Sequence, residues 1–187
     1  MKKFMKGLLV CMMAALMLLT VGCDDQQKVK EQPKPPAQTQ PAPEKPQQKP
    51  ADEKVTVKLY YPTEDAEKLV AVEAKVPAKD KYKASVEALA AGTKQMGLTG
   101  IFPKGVKVRS VKVKDGLATV DFTQELTKRF VGGSTGEEML VGSLVNTLTE
   151  FKEITSVKIL VEGQEIDTIS GHLDTSVPFK RMKELLK

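Results

Sequence analysis

Tryptophan is absent from this 187-residue sequence, aromatic residues make up 5% of it, histidine occurs once and cysteine twice. Each shortage closes off a class of chemistry. One histidine, His172, cannot build a His-rich zinc site, and it leaves any Ser-His-Asp arrangement dependent on a single imidazole. His172-Leu173-Asp174 does place a carboxylate two positions on, but Gly171 and Pro178 mark an irregular loop and no serine occupies a nucleophile elbow. A structural, hydrogen-bonding role for His172 follows. Both cysteines, Cys11 and Cys23, precede residue 55, so the remainder of the chain has neither a disulfide nor a thiolate metal site. With so few aromatic side chains, a groove for wall glycans is poorly supplied with the surfaces that such ligands pack on.

Charge of one sign is also scarce where it would matter. Of the formal net +5, +3 belongs to Lys2, Lys3 and Lys6, and residues 24–54 balance six lysines against six acidic residues. Residues 55–187 are left at only +2, with 20 basic and 18 acidic side chains. Nucleic-acid binding draws its strength from phosphate neutralisation, so that partner class has no footprint here.

What the sequence does contain begins at its N-terminus. Three lysines precede an uncharged run from Gly7 to Cys23, which ends in Leu19-Thr20-Val21-Gly22-Cys23. This is the n-region, h-region and small-residue cleavage site of a secretory signal, residues 1–22, with Cys23 behind Gly22 as the lipidation site of a lipoprotein. The expected location is extracytoplasmic, lipid-anchored to the cell membrane. Residues 23–54 hold seven of the chain's 11 prolines among Gln, Lys and Glu, with almost nothing apolar. Such a segment cannot bury enough surface to order itself and acts as a spacer. The 31 residues from 24 to 54 span roughly 30 Å as a flexible coil and about 95 Å if polyproline-like.

Residues 55–187 suffice for one core. Alternation over Val55–Tyr61 and Val70–Val76 predicts two strands, and a helix capped by Asp80 runs to Gly92. Val106–Lys114, Asp115-Gly116 and Leu117–Phe122 predict a hairpin with a type I′ turn. A bulge near Ser110 brings Val106 and Val108 into phase with Val111 and Val113. Ala118, Val120 and Phe122 then face inward, with Asp121 outward or toward a neighbouring loop. Gly132-Gly133-Ser134-Thr135-Gly136 leads into a helix carrying Leu140, Leu144, Leu148 and Phe151. Ser134 and Glu137 fit a capping box there, and the loop lacks the lysine of a phosphate-binding loop. Ser156–Val161 is a strand, and an irregular tail ends in a short helix at Met182–Leu186. The expectation is an α+β fold, a two-layer mixed β-sheet with two helices on one face and a right-handed crossover into the last strand.

Carboxylate pairs for glycoside cleavage are Glu137 with Glu138, Glu150 with Glu153, and Asp121 with Glu125. Solvated charge or capping accounts for each of them. Met96, Leu98, Ile101 and Phe102, in a glycine-rich segment after a helix, either fold onto the core or form a protein-contact patch.

Leu117-Ala-Thr-Val-Asp-Phe-Thr123, Val145-Asn-Thr-Leu-Thr-Glu-Phe151, Val157-Lys-Ile-Leu-Val-Glu-Gly163 and Gly171-His-Leu-Asp-Thr-Ser-Val-Pro178 together resemble the GerMN domain of sporulation and spore germination lipoproteins. The resemblance covers nearly all of residues 55–187 and implies a fold similar to the ring-building motif of envelope-spanning channels. The chain carries one such domain where GerM carries two. The family brings no catalytic residues, no cofactor and no metal, and implies a non-enzymatic protein-interaction module whose partners are other envelope or sporulation proteins. A cell-wall (peptidoglycan) hydrolase or glycan-binding module is the alternative.

Overall fold

The computed structural model describes residues 53–187. The expected signal peptide, Gly22, the expected lipidation site Cys23 and the expected 23–54 linker up to residue 52 lie outside the described residues. Among those described, no helix is long and apolar enough to cross a membrane.

β1 (Lys54–Pro62) and β2 (Leu69–Pro77) form an antiparallel sheet of their own, in register from Lys54 opposite Pro77 to Pro62 opposite Leu69. α1 (Lys81–Ala90) follows, with Asp80 at its N-cap position but making no side-chain cap bond, and with Gly92 at φ +84° just past its end. β3 (Val108–Lys114) and β4 (Leu117–Phe122) form the expected hairpin. Asp115 and Gly116 have φ of +50° and +82°, the double left-handed backbone that a type I′ turn requires. The register slips between Val108 and Ser110, so a bulge sits where the apolar phase changes.

A short helix that periodicity did not reveal, α2 (Glu125–Lys128), precedes α3 (Gly133–Leu148). β5 (Ser156–Val161) returns parallel to β4, pairing Ala118 with Val157, Val120 with Ile159 and Phe122 with Val161. β6 (Gln164–Glu165) and β7 (Phe179–Lys180) both pair with β5, completing a five-stranded mixed sheet, and the chain ends in a 3-10 turn at Lys183–Leu185.

Twelve of the sixteen residues of α3 are buried, which makes it an interior element and not a surface helix. One side, with Leu140, Val141, Leu144, Val145 and Leu148, packs on Ala118, Val120, Phe122, Val157 and Ile159 of the sheet together with Val86 of α1. On another side Met139 meets Tyr60, Leu69 and Leu185 from β1, β2 and the C-terminal turn. A Cβ on Gly142 would stand 2.4 Å from Leu185 Cδ1 and 3.1 Å from Leu69 Cδ1, so the helix approaches these two segments as closely as a bare backbone allows. The inner face of the sheet is thus roofed by both long helices, and the β1–β2 hairpin packs on the helices in turn.

Candidate functional site

Glu137 stands on α3 one turn before Leu140 and Val141, in the stripe that meets the core, and it is fully buried. A carboxylate there is tolerable only if its oxygens are saturated. They are: Oε1 accepts from Thr168 Oγ1 at 2.7 Å, Ile169 N at 2.9 Å and Ser170 N at 3.2 Å. Oε2 accepts from Ser170 Oγ at 2.9 Å and His172 N at 3.0 Å. Burial alone would push the carboxyl up, but these donors outweigh it and hold the pKa at about 2. The expected capping box is therefore not formed. Gly132 is the N-cap residue and makes no side-chain bond, and Glu137 turns inward to clasp the 168–172 loop instead. His172 takes part through its backbone N–H, and its side chain is exposed, which corrects the expectation of an imidazole contact.

Of the other acidic residues weighed as acid-base pairs, Glu150, Glu153 and Asp121 also carry structure. Glu150 Oε1 accepts from the Tyr60 hydroxyl at 2.8 Å and the Arg181 guanidinium, which itself bonds Thr149 Oγ1 at 3.1 Å, joining β1, the end of α3 and the C-terminal segment. Glu153 accepts from Lys81 Nζ at 2.7 Å and the Tyr82 hydroxyl, and these two bonds hold its pKa at about 2. Asp121 takes the second of its two expected placements and turns toward a neighbouring loop: Oδ1 accepts from Gly163 N at 2.8 Å and Oδ2 lies 3.4 Å from Arg109 Nε. Arg109 in turn meets Glu162, whose other oxygen accepts from Gln124 N at 3.0 Å. Among the described residues no group of three or more His, Cys, Asp or Glu is placed to hold a metal ion.

The glycine-rich segment before α3 serves packing. A Cβ on Gly132 would lie 2.7 Å from Phe130 Cζ and one on Gly136 3.4 Å from the same atom, so the two glycines form the seat of that ring. Of the four residues considered for protein contact, Met96 stands 96% exposed. Leu98 is half-buried against the β1–β2 core, Ile101 against the sheet core, and Phe102 lies 5.8 Å from the Phe122 ring. These three are turned into the fold, so only Met96 offers its side chain outward.

With both long helices on the inner face, the outer face of the sheet is left to Lys112 and Lys114 of β3, Leu117, Thr119 and Asp121 of β4, and Leu160 of β5. A groove of about 650 Å³ opens over these residues. The far side of this face is bounded where Lys158 Nζ donates to the Ser176 carbonyl and pairs with Glu165 at 3.4 Å. No motif marks the groove: alternation turns Leu117, Thr119 and Asp121 away from the core, but the parallel register that sets Leu160 beside Asp121 is not a local signal.

With this geometry in view, residues 58–167 match the Germane family, described as sporulation and spore germination. The chain belongs to that family. The spore germination protein GerM of Bacillus subtilis (strain 168) is 34% identical over 120 residues, covering 59% of this chain and 31% of GerM, so the chain spans about a third of that relative's length. The tandem GerMN domains of the B. subtilis sporulation protein GerM superpose with a TM-score of 0.56 at 28% identity, covering 73% of this chain and 47% of that one. The first GerMN domain of the same protein gives a TM-score of 0.55 at 23% identity, over 69% of this chain and 98% of that domain, a likeness of fold. The chain thus carries a GerM-like domain with the α+β architecture expected from its sequence.

Proposed function

We propose that this protein is a lipoprotein of the cell envelope, anchored through Cys23, whose Germane domain works as a protein-interaction module in sporulation or spore germination. The observation that carries this reading is the asymmetry of the sheet: one face is filled by α1 and α3, and the other presents an open groove bordered by lysines. Asp121, Glu137 and Glu150 are spent on holding loops and the C-terminal segment, and the open sheet face is the surface that supports binding. Family membership supplies the process, and the Gly22-Cys23 junction supplies the anchor. Two acyl chains on one cysteine suffice for stable membrane attachment, which one chain does not give.

Crosslinking and pull-down from membranes, sampled through growth and spore formation, tests this directly. The proposal expects defined envelope proteins to be captured by the wild-type chain and lost with Cys23→Ala, which should also remain unprocessed and leave the membrane fraction. Capture of wall fragments alone, or normal processing and membrane pelleting of the Cys23→Ala chain, overturns it.

A further inference from the structure

The groove on the outer sheet face has a chemistry that selects among occupants. Its floor follows β4 from Leu117 through Thr119 to Asp121, with Leu160 of β5 beside Asp121. One rim is formed by Lys112 opposite Thr119 and Lys114 opposite Leu117. Four cationic side chains lie on or beside this face, and two of them are already neutralised: Arg109 by Asp121 and Glu162, and Lys158 by Glu165. Among the described residues Lys112 and Lys114 have no carboxylate within ion-pair distance. The one carboxylate on the floor, Asp121, is occupied by Arg109 and the Gly163 amide. Asp115, in the β3–β4 turn, also lines the groove and has no ion pair among the described residues, so the unspent charge is two lysines against one carboxylate, a net positive charge at the end near that turn.

The floor chemistry narrows the occupant further. Leu117, Thr119 and Leu160 are half-buried although they face outward, a surface suited to an aliphatic side chain. No aromatic ring lines the groove, and without one a sugar has nothing to stack on. Length matters as well. From Leu117 to Asp121 the strand rises about 14 Å at roughly 3.4 Å per residue, room for four or five extended residues. The acidic stretch of this chain itself, Glu64, Asp65 and Glu67, is a poor fit because it is folded into a closed turn. Thr63 Oγ1 bonds Asp65 and the Lys68 carbonyl, and Asp65 also accepts from Glu67 N.

We propose that this groove receives an extended acidic segment of a partner protein, with carboxylates on Lys112 and Lys114 and one aliphatic side chain on each of Leu117 and Leu160, which lie at opposite ends of the floor. The assignment rests on the reading of the domain as an interaction module and adds the chemistry of what it binds. Electrostatic complementarity of this kind sets partner choice and encounter rate more than it sets raw affinity.

The test uses the full chain in detergent and a fluorescein-labelled peptide Glu-Leu-Glu-Thr-Glu-Leu-Glu, with a Lys-for-Glu version as its counterpart. The acidic peptide should bind, weaken steeply with salt, and lose at least tenfold in affinity on Lys112→Glu with Lys114→Glu. The same double variant should now prefer the lysine peptide, a reversal that misfolding cannot produce. Lys75→Glu with Lys79→Glu, on β2 and its exit, should change little. Absence of binding by the wild type, equal loss in both double variants, or preferential binding of muropeptides overturns the assignment. So does a concentration-dependent oligomer that Lys112→Glu with Lys114→Glu dissolves, which would make a second copy the occupant. If envelope partners are still crosslinked in cells by the Lys112→Glu, Lys114→Glu chain, the module reading stands and the groove assignment falls. If the peptide binds as expected but the wild-type chain captures no envelope protein, the module reading is the one that fails.

Discussion

The carboxylate of Glu137 accepts a 3.0 Å hydrogen bond from the backbone N–H of His172, 35 residues further along the chain. Four more donors from Thr168, Ile169 and Ser170 converge on the same carboxylate. An irregular segment between β6 and β7 has few partners for its backbone amides, and an unpaired buried amide is expensive. Glu137 supplies several acceptors at once from a rigid helix. The loop that carries the chain's single histidine is thereby fixed on α3, and the buried charge is compensated.

Glu137→Gln keeps the shape but replaces one acceptor oxygen with a donor that faces other donors. The expected loss at neutral pH is on the order of 2 to 4 kcal/mol. The sign with pH is fixed by the shift: a folded pKa of about 2 against the ordinary 4.5 means that the carboxylate's contribution is complete above about pH 4.5 and fades as pH falls toward 2. Thermal unfolding of both proteins from pH 7 to pH 2.5 should show the gap in Tm narrowing on the acid side. A gap that stays constant would show that the lost stability does not come from the charged form.

Strands β1 to β5 and the β3–β4 hairpin are legible because their information is local, whereas β6 and β7 are two residues each and fall in a segment that reads as irregular. Alternation placed Ala118, Val120 and Phe122 on the core face, the Asp115-Gly116 pair set the turn, and the phase change between Val108 and Val111 located the bulge. The Glu137 clasp was not read, because Ser134 and Glu137 have capping-box spacing and the competing partners lie more than 30 residues away. One signal pointed to it: position 137 continues the apolar row of Leu140, Leu144 and Leu148, where a solvated glutamate does not belong. A second turn with the same backbone, Glu162-Gly163, with φ of +52° and +78°, carries little sequence signal because only two residues follow it in a strand. The outer groove is not legible for a different reason, since its floor depends on the long-range parallel register of β4 and β5 that brings Leu160 beside Asp121.

Gly142→Ala tests how tightly α3 is wedged between the sheet and the C-terminal turn. Alanine favours a helix by up to about 1 kcal/mol over glycine, yet its methyl group would meet Leu185 Cδ1 at 2.4 Å. Overpacking of about 1 to 3 kcal/mol should prevail. Leu185→Ala costs stability alone but relieves the clash, so the double variant should be less destabilised than the two single effects added together. Additive urea-unfolding energies would mean that Leu185 yields freely and the contact is not tight.

Gly116→Val meets two obstacles. Valine resists φ of +82°, and its Cβ would stand 2.8 Å from Thr155 Oγ1, the hydroxyl that bonds the Gly116 carbonyl at 3.1 Å. The turn also accepts the Thr155 N–H at 2.8 Å, so strain there reaches the start of β5. The loss should exceed about 1 kcal/mol. Asp115→Asn, which tolerates the same left-handed backbone, should leave the denaturation midpoint near that of the parent, and equal losses in both variants would argue that the turn's backbone is not the cause.

The spacer proposed for residues 23–54 makes a prediction about length against sequence. Partner capture by a tethered module depends on effective concentration, which collapses when the linker cannot span the distance and changes slowly with length beyond that. Deleting residues 30–50 cuts the reach from roughly 30 Å to about 17 Å as a coil, and from about 95 Å to about 31 Å if polyproline-like, while β1 begins at Lys54 and is untouched. The deletion should therefore abolish partner crosslinking and function with lipidation and the unfolding midpoint unchanged. A scrambled version of the same residues keeps length, charge and proline content, and should retain both. If the scramble fails as badly as the deletion, the segment is recognised through its order of residues, and its role is that of a ligand and not of a spacer.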